Sequence, residues 1–155
     1  MKLVFDNQFS RTDVVNCVCD LANEDQSGFI KVLVTGEIAS NGADRRLLLR
    51  INGINSGYKS FVRYGNDGDW GGNEGLFVGR SAWGLDGTFS LDYTIGYYSG
   101  AQRITGSGLC VFAAANGDIV GYETHGYLLG NAPVRNIDVL IAGGLVNGQI
   151  KIYRS

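Results

Sequence analysis

Residues 88–128 constrain the fold more than any other segment: three strand-like runs follow one another across glycine-marked breaks, with no helical pattern. Phe89, Leu91, Tyr93, Ile95 and Tyr97 alternate with Ser90, Asp92, Thr94, Gly96 and Tyr98. A period of two places the first set on one face of a sheet and predicts a half-buried strand. The next run, residues 108–115, is apolar on both faces, and Asn116-Gly117 then turns the chain into a third run ending at Leu128. Asn-Gly between two such runs predicts an antiparallel hairpin whose two central residues both take positive φ.

The rest of the chain repeats this grammar. Met1 to Phe5 reads as a strand, at an edge or paired with the C-terminal strand, and residues 13–21 as another. Residues 29–39 are apolar on both faces, the mark of a central strand, with Gly36 as a possible bulge site. After Asn41-Gly42, Leu47, Leu49 and Ile51 share one face, while Arg46, Leu48 and Arg50 share the outward one. Tyr58 to Tyr64 alternates again, and residues 65–75 form a glycine-rich acidic stretch without strand character. Strand pattern returns at Leu76 to Val78, at Ile137 to Ile141 and at the C-terminal run to Tyr153. Roughly nine to eleven short strands with no amphipathic helix predict an all-β antiparallel β-sandwich or jelly roll.

Length and charge narrow the function. The 155 residues fit a single domain, with 1–28 as N-terminal strands or an arm of the same unit and 29–155 as the sandwich. The glycines, 24 of them against one proline, follow no G-x-y period, so they mark turns and not a collagen repeat. A net charge of −2 from 13 basic and 15 acidic residues, with no basic run beyond Arg45-Arg46, argues against a nucleic-acid partner. No run of about 18 apolar residues is present to span a membrane. The N-terminal apolar run stops at Asp6, too early for a signal peptide, which predicts synthesis in a cytoplasm.

Side chains with chemical potential are few. Cys17, Cys19 and Cys110 form no C-x-x-C pair and read as small buried hydrophobes. His125 shares a strand face with Glu123, but no nucleophile signature accompanies it, so the expectation is a non-enzymatic chain with no metal and no cofactor. The oxygen ligands at Asn66, Asp67, Asp69, Asn73 and Glu74 lack EF-hand spacing and read as a solvated loop. Trp70, flanked by Asp67, Asp69 and Asn73, makes a candidate glycan site: a ring face for the sugar and polar groups for its hydroxyls. The competing expectation, which the residues favour, is that Trp70 and Trp83 fill the core or a subunit contact. Tyr97, Tyr98, Tyr122 and Tyr127 are candidate interface residues, because tyrosine is enriched in interface cores.

Four segments carry a family resemblance: Leu47 to Ile51, the Gly/Asn/Asp-rich stretch after Tyr64, Gly87 to Leu91, and the ending from Ile137 to Tyr153. Together they resemble the small jelly-roll structural proteins of tailed bacteriophage particles, over roughly residues 29 to 154. That group tends to finish "G-x-I-x-L-Y"; Gly148, Ile150, Ile152 and Tyr153 occupy that pattern, with Arg154 where the group tends to have glycine. The resemblance implies a concanavalin-like or galectin-like fold, no catalysis, and a place on the virion as a capsid decoration or a tail or baseplate component. Its partners would be other virion proteins and copies of itself in a homo-oligomer. Two alternatives remain from the residues: a carbohydrate-binding module for a surface glycan, and, more weakly, a glycan-degrading enzyme.

Overall fold

A computed structural model describes residues 1–18 and 27–155. It is an all-β, two-sheet antiparallel architecture consistent with a β-sandwich. Among the described residues twelve strands run in order: β1 (Lys2–Thr12), β2 (Val14–Val18), β3 (Ser27–Ala39), β4 (Arg46–Ile51), β5 (Tyr58–Tyr64), β6 (Asp67–Trp70), β7 (Leu76–Arg80), β8 (Gly87–Tyr98), β9 (Arg103–Ala114), β10 (Ile119–Leu129), β11 (Asn136–Ile141) and β12 (Leu145–Arg154). Eight of them form one sheet, β1-β12-β3-β8-β9-β10-β5-β6, and four form the other, β2-β11-β4-β7. The count exceeds the sequence expectation because β6 lies inside the acidic stretch that lacked strand character.

The core sits between the inner faces. Phe89, Leu91, Tyr93, Ile95 and Tyr97 of β8 are buried, as their alternation requires, and meet Leu47, Leu49 and Ile51 of β4 and Ile137, Val139 and Ile141 of β11 in one cluster. Cys17 and Cys110 are buried in that cluster, as expected of small hydrophobes, whereas Cys19 lies outside the described residues. Burial pushes the Cys110 thiol up to about 12.

β1 pairs with β12 and forms one edge of the large sheet. At Asp13 the chain crosses to the other layer, where β2 pairs with β11. The opposite flank is closed by β7: Phe77 N–H donates to Ser60 Oγ (2.9 Å) and Thr124 Oγ1 donates to Phe77 C=O (2.6 Å). Two side chains of the large sheet thus satisfy both backbone groups of an edge residue in the small one.

Two local expectations change. The 116–117 hairpin forms, but only Gly117 takes positive φ (96°). Gly117 N–H bonds Ala114 C=O and Ala114 N–H bonds Asp118 C=O, so the connection is a three-residue loop with glycine in the left-handed position. Both central residues have positive φ instead at Asn41-Gly42 and Asn52-Gly53. Gly36 is not a bulge, since β3 pairs with β12 and β8 through it without a register shift. It faces Gly148 across strands that approach so closely that a Cβ on either would strike the opposite backbone, at Asn147 C=O or Thr35 C=O.

Candidate functional site

The acidic stretch is where sequence and structure part most. β5 and β6 form a hairpin in which Phe61 stands opposite Trp70 and Val62 opposite Asp69. Because strand neighbours point to opposite faces, Trp70 turns outward while Asp69 turns toward the rim of the core. Asp69 accepts there from Arg80 (3.3 Å) and lies 3.8 Å from Arg46, while Arg80 also reaches Asp44 at 3.5 Å. The Arg46 guanidinium covers the Phe77 ring at 4.5 Å. Asp67 is exposed at the hairpin tip, and the Asn73 amide oxygen accepts from Gly57 N–H (2.7 Å), bracing a neighbouring loop. The predicted set Asp67, Asp69, Trp70 and Asn73 therefore does not converge on one ligand.

Trp70 has other company. It is 61% exposed, which removes it from the core, and Trp83 at 53% is likewise outside. The Trp70 ring meets Phe61 edge-on at 5.1 Å, Phe61 lies 5.7 Å from His125, and Lys59 Nζ stands 5.1 Å over the indole. With Tyr127 these residues line a shallow depression of about 200 Å³ on the outer face of the large sheet. An aromatic floor with an ammonium, an imidazole and a phenol around it can hold a small polar ring by stacking and hydrogen bonds. The sequence missed this set because its members come from three strands.

The four tyrosines divide by strand parity. Tyr97 and Tyr122 point inward and are buried, Tyr122 at 2%, so they are packing residues unavailable to a partner. Burial raises the Tyr122 phenol to about 12, partly offset by its bond to Arg80. Tyr98 is exposed at 63%, and Tyr127 is half-buried beneath the Arg103 guanidinium.

A second outer-face feature carries more area. β3 and β9 are the strands that read as apolar on both sides, yet only their inner faces are covered. Leu109 is 59% and Val111 39% exposed. With Leu33 they line a groove of about 390 Å³ across the middle of the large sheet, in which Asp92 stands between Leu33 and Leu109 and Gln149 and Lys151 lie to one side. Two-sided apolarity was the available signal, and it marked an uncovered face instead of a doubly covered strand. No family model matches this chain, and no curated protein matches it.

Proposed function

We propose that this chain is a non-catalytic assembly protein, a jelly-roll component of a tailed-phage particle, that docks through the outer face of its eight-stranded sheet. The observation that carries this reading is the apolar group at the centre of that face, exposed Leu109 and Val111 with half-buried Leu33 across Asp92. Side chains there gain nothing for the isolated fold, whereas covering them by a partner removes apolar surface from water at about 25 cal/mol per Å². Sedimentation of the protein alone and with purified particles tests it: Leu109→Asp should abolish association while leaving the melting temperature within a few degrees. Unchanged association in that variant would remove the proposed surface.

A second reading rests on the Trp70 depression. A glycan stacked on the indole and bonded by Lys59 and His125 would make the chain a receptor-binding module. Titrating oligosaccharides against tryptophan fluorescence should give a saturable change that Trp70→Ala removes and Trp83→Ala keeps.

A further inference from the structure

We infer that the partner of the outer face is a second copy of this chain, packed face to face about a two-fold axis that runs along β8; the inference rests on the assembly reading above. Strand register defines the central row of that face. Moving out from Asp92 of β8 toward one edge, the row passes through Leu109, Glu123 and Arg63. Toward the other edge it passes through Leu33, Lys151 and Asp6.

A rotation about β8 exchanges these two halves. Leu109 then lies over Leu33 of the second copy, Glu123 over its Lys151, and Arg63 over its Asp6. Each step of the row sets apolar on apolar or acid on base, and each such pair occurs twice by symmetry; Lys151 and Asp6 already pair within one copy at 3.5 Å, so Glu123 and Arg63 of the second copy extend that pair into an alternating cluster. Only Asp92 meets its own kind, and there Lys31 already sits 3.1 Å from the carboxylate and neutralises it. The neighbouring row sets Val111 over Thr35 and Ser90 over Ser90, small residues that permit close approach.

The face is large enough. The seven exchanged strands, spaced about 4.8 Å apart and crossed by five outward rows about 6.8 Å apart, present on the order of 800 Å². A stable pair needs about 800 Å² from each partner. With the axis along β8 the strands of the two copies run in the same sense, within the aligned class of sheet packing. Trp70 falls outside the exchanged columns, because rotation carries β6 beyond the β1 edge, whereas the β5 and β10 side of the aromatic depression lies under β1 and β12 of the second copy.

The test uses two opposite charge reversals in the full chain, Glu123→Lys and Lys151→Glu, with melting curves to verify folding. Each variant alone sets like charges against each other twice and should self-associate at least ten-fold more weakly than wild type in sedimentation equilibrium. Mixed in equal amounts, the two become complementary and should form a heterodimer of wild-type mass. A mixture that stays monomeric while wild type dimerises would overturn the proposed symmetry. A wild-type protein that is monomeric at all concentrations, yet binds particles in a Leu109-dependent way, would overturn the second copy as partner and leave the assembly reading in place.

Discussion

Ser60 and Thr124 hold the two layers together at the β7 flank with one hydroxyl each. Ser60→Ala leaves the Phe77 N–H buried without an acceptor, so it should cost about 1–3 kcal/mol in chemical denaturation. The Ser60→Ala/Thr124→Val double variant should lose less than the sum of the singles, because both hydroxyls fix the same residue. Asp138 of β11 gives a pH signature. Burial raises its pKa despite Arg50 beside it, and Oδ1 has no hydrogen-bond partner among the described residues. The folded state thus holds this proton more tightly than the unfolded chain, and stability falls as pH rises through the carboxylate range. Asp138→Asn should melt higher than wild type at neutral pH, and the gain should vanish near about pH 3; an equal gain at both would remove the carboxylate as cause. The Cys110 thiol, buried and shifted upward, should react with a thiol reagent only at the rate of unfolding.

Elements show why some of the design was legible. β8 was readable because, Tyr98 apart, its polar residues fall on one face and its large apolar ones on the other, and β4 because Leu47, Leu49 and Ile51 keep the same parity. β6 was not, since its four residues, Asp67 to Trp70, hold two aspartates and a glycine, and only pairing with β5 makes them extended. That one missed strand also divides the predicted glycan set: a loop could gather Asp69 and Trp70 on one side, whereas a strand turns them to opposite faces. Gly36 and Gly148 carry a different message, a close strand approach that is a tertiary fact and leaves no local pattern. Gly148→Ala should force β3 and β12 apart and cost about 3 kcal/mol by thermal melting, with Gly121→Ala, which meets open space, as the mild comparison.

At the scale of the molecule, the two-layer architecture was legible and the use of its faces was not. Whether a strand apolar on both sides is covered twice or exposed once depends on whether a layer stands on each of its faces, and the four-stranded sheet stands on one face of the eight-stranded one. The surplus apolar surface on β3 and β9 is the feature on which the functional account turns. Hydroxyl-radical footprinting of the wild-type protein in dilute and concentrated solution tests it most directly. Leu109 and Val111 should be protected on concentration while Trp83, on the loop after β7, keeps its reactivity. Equal labelling of Leu109 and Val111 at both concentrations, in a protein whose mass has doubled, would contradict it.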